Sequence, residues 1–293
     1  MKESAATPSS QLNLEALQGQ LDTRFFGRNS RLVYVPVVDS TNILSMQLAR
    51  QGAAEGTVVL TDSQTAGKGR LGRQWLDVQY CHVLSSTILR PAFSPYLLVM
   101  MASLAVVNAI SSVSQVVASI KWPNDILIGN RKVAGILIET SHDRYGRMLA
   151  IVGIGVNVNG LRDQLASNQL TSTATDLQRP GALATTLQTE SGHVVNRETF
   201  IAHLLHHLES LYLGLQQEAH EPVAMVNQST SRLIREQWRS QLSTLGRHIE
   251  VRQGNTIVSG VAEDVDETGG LLLRNHSGLQ VSITWGDIGY PTE

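Results

Sequence analysis

The sequence predicts a mixed α and β fold over a large domain followed by a small antiparallel barrel, and three observations carry the prediction. Short β-branched or apolar runs alternate with helix-periodic segments between residues 31 and 217. The run at 148–158 is almost wholly apolar, so both faces of a strand there must be covered. From residue 247 the pattern changes to short alternating runs (HIEVRQ, TIVSGVAE, LLLRN, LQVSITW) separated by Gly254-Asn255, Gly269-Gly270 and Ser277-Gly278, the spacing of a small barrel. A boundary near residues 240–246 divides the chain into an extension at 1–30, a large domain at 31–242 and a barrel at 243–293. At 293 residues the chain can bury a full core.

Taken in order, residues 31–38 (RLVYVPVV) read as a strand. Asp39-Ser40-Thr41-Asn42 then opens a helix, with Ser40 or Thr41 as N-cap, that stops at Gly52. Residues 57–61 are a short β-branched strand, a glycine-rich segment follows, and residues 82–89 form the next strand. Ser94-Pro95 is a cap followed by a first-turn proline, and the apolar stretch to Ile120 reads as one long, largely buried helix. Strands at 126–128 and 133–140 are joined by a turn at Gly129-Asn130. Residues 160–192 mix loop with short helix. Residues 197–217 are an amphipathic helix with Phe200, Leu204, Leu205, Leu208, Leu211 and Leu215 on one side. His203, His206 and His207 stand on it without an acidic or cysteine partner, so they read as a solvated edge and not as metal ligands.

Composition excludes several classes. A net charge of −2 gives no footprint for non-specific nucleic-acid binding, so positive charge must act locally. The single cysteine, Cys81, excludes an intrachain disulfide framework and fits a reducing cytoplasm. The first thirty residues contain Glu3, Glu15 and Asp22 and no apolar core segment, which argues against a targeting peptide. The longest apolar run, residues 97–110, is interrupted by Ser103 and Asn108 and is short for a bilayer. A cytoplasmic protein without membrane contact is the expectation.

Lysine use is the sharpest local signal. Of four lysines, Lys68, Lys121 and Lys132 lie in three dense segments, 67–73 (GKGRLGR), 121–125 (KWPND) and 131–137 (RKVAGIL), while most of the nineteen arginines supply positive charge elsewhere. A compact ammonium placed this way suits a phosphate or carboxylate, which points to an active site for an anionic, nucleotide-containing ligand.

The glycine segment formally matches G-x-G-x-x-G, yet the dinucleotide fingerprint fails: Asp77 comes too early and the next element is a strand. Walker A fails because Gly69 follows Lys68. What remains is a flexible loop with backbone N–H groups and three cations for phosphate, or else an exposed basic turn. In KWPND, Trp122 before Pro123 is extended, so Lys121 and Trp122 project to opposite sides. Asn124 and Asp125 offer an amide and a carboxylate to a nucleotide or to Mg²⁺; the alternative is a proline turn capped by Asp125. Lys132 enters an apolar strand and should face an anion, and Asn157 in an apolar run needs partners if buried.

Five ordered segments together, 39–42 (DSTN), 64–75 (QTAGKGRLGRQW), 121–125, 131–137 and 153–157 (GIGVN), resemble the biotin–protein ligase family. The resemblance implies an α+β domain with a mixed sheet backed by helices, related to class II aminoacyl-tRNA synthetases, followed by an SH3-like barrel. It implies that residues 31–242 bind biotin and ATP. It implies formation of biotinyl-5′-AMP and transfer of biotin to one lysine of the biotin carboxyl carrier protein of acetyl-CoA carboxylase, with Mg²⁺. By the same resemblance Ser40, Thr41, Asn42, Gln64, Lys68, Gly69 and Gly135 hold biotin, and Lys132 and Arg70 serve both biotin and ATP as the catalytic pair. Arg73, Trp75, Lys121, Asn124 and Asn157 hold ATP, and Asp125 is the Mg²⁺ candidate. The chain departs from the family pattern at Lys68, where arginine is usual, and at Leu71, often basic.

Some members of that family carry an N-terminal winged helix-turn-helix and repress transcription; only about thirty residues precede the first strand here, so the expectation is a ligase without specific DNA binding. A lipoate or octanoate ligase matches KWPND and GKGRLGR poorly, and a catalytically silent biotin binder would not need Arg70, Arg73, Lys121 and Lys132 together. Monomer and homodimer both remain open.

Overall fold

The computed structural model describes residues 10–143, 145–160, 165, 183–220 and 229–291. Its main sheet has seven strands, β1 (Leu32–Tyr34), β3 (Val58–Thr61), β5 (Val83–Leu89), β6 (Ala118–Lys121), β7 (Asp125–Ile128), β8 (Arg131–His142) and β9 (Met148–Val156). They run in the order β1-β3-β5-β9-β8-β7-β6, parallel between β1 and β3 and antiparallel elsewhere. A separate parallel pair joins β2 (Val37–Val38) to β4 (Ser63–Gln64).

Helices cover both faces of the main sheet. On one lie α3 (Tyr96–Val113), α5 (Arg197–His220) and α6 (Thr230–Ser240), while α2 (Thr41–Arg50) packs on the other against β5 and β9. A short α4 (Leu187–Ser191) and an N-terminal α1 (Leu14–Gln20) are further α-helices. The alternation along β9 explains the site. Val152, Ile154 and Val156 join the large core beneath α3, whereas Leu149 and Ile151 pack under α2 with Ala49 and Ile88. Continuing along that second row the residues become Gly153 and Gly155, and the sheet is left bare beyond the N-terminus of α2.

Two expectations need correction. Residues 31–38 are two strands, not one, because Pro36 has no N–H for the ladder; the chain leaves the main sheet there and re-pairs with β4. The helix from Pro95 ends at Val113, and residues 118–121 form β6. Ala118 and Ile120 are buried while Ser119 and Lys121 are half-buried, the period of two that a strand requires. The N-terminal segment lacks an apolar run yet packs: Leu12, Leu17, Leu21 and Phe26 are all in the core. Most of the expected loop and helix at 160–192 lies outside the described residues; within them α4 is capped by Thr186, whose hydroxyl accepts from Thr189 N.

The C-terminal unit is a five-stranded antiparallel sheet in the order β13-β12-β11-β10-β14, built from β10 (His248–Gln253), β11 (Thr256–Val265), β12 (Leu271–Arg274), β13 (Gln280–Ile283) and β14 (Asp287–Gly289). It is tied to the large domain through Trp122, whose indole N–H donates to Gly269 O at 2.9 Å and whose backbone N–H donates to Thr244 Oγ1 at 3.0 Å. α3 is long and apolar enough by composition to cross a bilayer, but most of it is buried between sheet and helices.

Candidate active site

The bare strip of sheet is roofed by residues 67–75, which fold into a tight hairpin. Trp75 N donates to Gly67 O at 2.9 Å, Gly69 N to Arg73 O at 2.6 Å, and the tip turns through Leu71 (φ 56°) and Gly72 (φ 76°). The expected open loop with phosphate-binding N–H groups is corrected here, since at least Gly69, Arg73 and Trp75 spend theirs inside the hairpin. What the hairpin presents downward is side chains. The Trp75 ring lies on Gly135 and Gly155, where a Cβ would come within 3.0 Å and 2.7 Å of it. Glycine at those two positions is therefore what lets an indole lie on the sheet.

At one end of the cleft stand the polar groups of α2. Ser40 is the N-cap by backbone conformation, but its hydroxyl makes no capping bond and lines the cleft. Gln64 accepts at Oε1 from Thr41 N at 2.9 Å and Thr41 Oγ1 at 3.2 Å, which turns its amide nitrogen away from the helix. Ser86 on β5 reaches Thr41 Oγ1 at 2.8 Å and Asn42 Oδ1 at 2.6 Å. Asn42 lies over Gly153, where any Cβ would strike its amide.

At the centre a β-bulge decides the geometry. Between β7 and β8 the register shifts at Ile126/Leu127, leaving Val133 as the extra residue. In an unbroken strand Lys132 and Gly135 would face opposite ways. With the bulge they share the cleft face, and the Lys132 ammonium lies near the Gly135 backbone and over the Trp75 ring. Lys132 Nζ is 2.7 Å from Asp125 Oδ1. Burial alone would raise the Asp125 carboxyl, but Lys132, with Lys121 and Arg73 further away, holds it below the usual carboxylate range. Opposite, Arg70 donates to Asn124 Oδ1 at 2.7 Å, and Asn124 is fixed by donating to Ile136 O at 2.7 Å. Burial, and Arg73 nearby, lower the Arg70 pKa against the pull of Asp125, which leaves the guanidinium charged.

Thus Ser40, Thr41, Asn42, Gln64, Lys68, Gly69, Arg70, Trp75, Asn124, Lys132 and Gly135 line one cleft. Four other sequence candidates do not line it. Arg73 pairs with Asp287 of β14, Lys121 lies over the Tyr290 ring, Asp125 is set behind Lys132, and Asn157 is buried at the end of β9 with an unpartnered Oδ1. The cleft continues past Arg70 and Asn124 into a second cavity of about 400 Å³ lined by Tyr96, Met100, Trp122, Trp238 and the Thr268–Gly270 turn. Two residues that sequence reasoning missed belong to the network: Ser86, one of three hydroxyls in an otherwise apolar β5, and Glu139, the first charge in β8 after a wholly apolar stretch. The histidines of α5 reach neighbouring groups, His206 to Asp22 O and His207 to Ser112 Oγ. Among the described residues no three His, Cys, Asp or Glu side chains gather to hold a metal.

Comparison with known proteins agrees with this architecture. Residues 34–159 match the biotin/lipoate A/B protein ligase family, and residues 244–288 match the biotin protein ligase C-terminal domain. The biotin–[acetyl-CoA-carboxylase] ligase of Paracoccus denitrificans is 33% identical over 249 residues, covering 83% of this chain and 94% of that protein. The bifunctional ligase/repressor BirA of Bacillus spizizenii is 32% identical over 264 residues, covering 89% of this chain and 74% of that protein. The biotin protein ligase of Aquifex aeolicus, solved with biotin and ATP, superposes with a TM-score of 0.68 at 26% identity, covering 89% of this chain and 98% of that one. One-third identity sustained along nearly the whole of a named ligase, on a shared fold, makes this chain a member of the biotin protein ligase family and an enzyme of that class.

Proposed function

We propose that the chain activates biotin with ATP and transfers it to one lysine of the biotin carboxyl carrier protein of acetyl-CoA carboxylase. The observation that carries the reading is the Lys132–Asp125 pair facing Arg70–Asn124 across a cleft whose far end is lined by Ser40, Thr41 and Gln64. The biotin carboxylate attacks the α-phosphorus of ATP, the bond to pyrophosphate breaks, and biotinyl-5′-AMP forms. The lysine amine of the carrier then attacks the acyl carbon, loses a proton, and AMP leaves.

Ser40, Thr41, Asn42 and Gln64, with Gly69, hold the ureido end; the free amide nitrogen of Gln64 suits a carbonyl acceptor. Lys132 bridges the carboxylate and the α-phosphate, bringing two mutually repelling anions within reach and stabilising the charge that develops. Arg70 holds the adenylate phosphate from above, and Trp75 packs on adenine. Arg73 turns to the polyphosphate when the hairpin lifts from Asp287 to admit ATP, while Lys121 and Asn157 serve ATP from the ends of β6 and β9. Asp125 does not fit Mg²⁺ here, since its carboxylate is set behind Lys132 and already paired with that ammonium at 2.7 Å, and no step is routed through the ion.

The reading extends to a cytoplasmic enzyme, monomer or homodimer, divided at residues 31–242 and 243–293, that does not bind DNA specifically, in keeping with its slight negative charge. Incubation with ATP, a carrier domain and either biotin or lipoate, followed by mass measurement, tests it. Biotin-dependent gain on a single carrier lysine is expected; lipoylation, or no gain, would overturn it. A nanomolar, sequence-specific shift of DNA at physiological salt would overturn the last clause.

A further inference from the structure

The structure gives the Lys68 ammonium a partner inside the protein. Lys68 Nζ lies 3.2 Å from Glu139 Oε1 on β8. The other carboxylate oxygen, Oε2, accepts from Asn42 Nδ2 at 2.8 Å. That fixes which way the Asn42 amide points: its Oδ1 faces Ser86 at 2.6 Å, and Ser86 in turn meets Thr41, which meets Gln64. One carboxylate therefore connects the roof of the cleft to the polar end of its floor through a continuous run of polar side-chain contacts, in which the two hydroxyl protons of Ser86 and Thr41 serve three contacts. Glu139 itself is outside the cleft lining, on the face-continuing row 135, 137, 139 that the β8 bulge sets toward the hairpin.

We propose that Glu139 is a positioning residue for retention of the activated intermediate: it latches the glycine-rich hairpin through Lys68 and sets the Asn42 amide at the biotin end. This rests on the ligase reading above. Lys68 and Glu139 are each about one-third to two-fifths exposed. Such a pair adds little to global stability, but it bears directly on an equilibrium as small as the opening of one hairpin. An arginine at 68 could grip a carboxylate with two parallel bonds; a lysine offers a point charge, so the latch here is electrostatic and should weaken with salt.

The test uses the full chain loaded with biotin and ATP, following release of biotinyl-adenylate after rapid removal of free ligand. Wild type, Glu139→Gln, Lys68→Gln and the double variant are compared at low and high salt, with melting temperatures measured alongside. Gln at 139 still accepts from Asn42, so it removes the ion pair alone. Each single change is expected to speed release about three- to fivefold, the double change no more than either single one, and the salt dependence seen in wild type to disappear, all without a shift in melting temperature. Additive effects, or release at the wild-type rate in Glu139→Gln, would overturn the latch and leave the ligase reading standing. A wild type that forms no biotinyl-adenylate would overturn both.

Discussion

At the scale of single residues, charge placement is the main device. Lys132, Arg70 and Lys68 each meet an internal oxygen, on Asp125, Asn124 and Glu139 respectively, so the cations are held in place in the protein itself. Removing Lys132 should act chiefly on chemistry: Lys132→Ala is expected to slow pyrophosphate release from biotin and ATP by at least ~100-fold, with a lowered melting temperature because Asp125 loses the ammonium that offsets its burial. Near-normal release would take Lys132 out of the mechanism. His82 makes the opposite kind of statement. It is wholly buried, neither ring nitrogen has a partner, and burial, helped by Arg197 nearby, lowers its pKa from 6.5 to about 3. Between those values the unfolded chain binds a proton that the folded chain refuses. This contribution to stability is therefore complete above pH 6.5 and is lost as pH falls toward 3, by up to about 1.4 kcal/mol per pH unit. Urea unfolding of wild type and His82→Leu at several pH values between 7.5 and 4 should show a shallower acid decline in the variant; parallel declines would refute the assignment.

At the scale of elements, the cleft exists because two strands change what they present along one face. On β9 the row Leu149, Ile151 gives way to Gly153, Gly155, and on β8 a bulge turns Lys132 to the same side as Gly135. The glycines have negative φ and are there for space, not for conformation. Gly155→Ala should thus leave the fold intact while its methyl, 2.7 Å from the Trp75 ring, lifts the indole off the sheet. Displacing a positioning ring by this much is expected to raise the KM for ATP on the order of tenfold with a smaller change in the KM for biotin. Equal KM values for ATP in variant and wild type would show that Trp75 does not organise the nucleotide end.

At the scale of the whole molecule, the large domain and the C-terminal unit share one interior. Met100 and Trp122 belong to the same apolar cluster as Ile249, Val251, Leu271 and Leu273, and Gly269 approaches Met100 so closely that a Cβ would clash. The hairpin adds a polar tie through Arg73 and Asp287. Two units that bury each other's side chains should unfold together. A single calorimetric transition with matching calorimetric and van't Hoff enthalpies is expected, and two resolved transitions would mean that the shared cluster is too weak to couple them.

Much of this protein was legible in the residues alone. Cap and stop signals marked α2, periodicity marked α5 and the antiparallel C-terminal strands, and short apolar or β-branched runs marked β5 and β9, because burial on one face leaves a period and burial on both an unbroken run. Sparse lysine marked the three segments that meet at the cleft, and the ordered motifs marked the family. Tertiary structure decided what no local pattern encodes. Pro36 divides β1 from β2, and β6 is a strand despite following an apolar helix, because each answers to a partner strand distant in sequence. The bulge at Val133 depends on pairing with β7, so the shared face of Lys132 and Gly135 could not be read from spacing. Which cations line the cleft was equally beyond the sequence. Arg73 and Lys121 carry the same charge as Arg70 and Lys132, yet they turn to Asp287 and Tyr290 because the C-terminal unit, more than 160 residues further along the chain, brings those groups within reach.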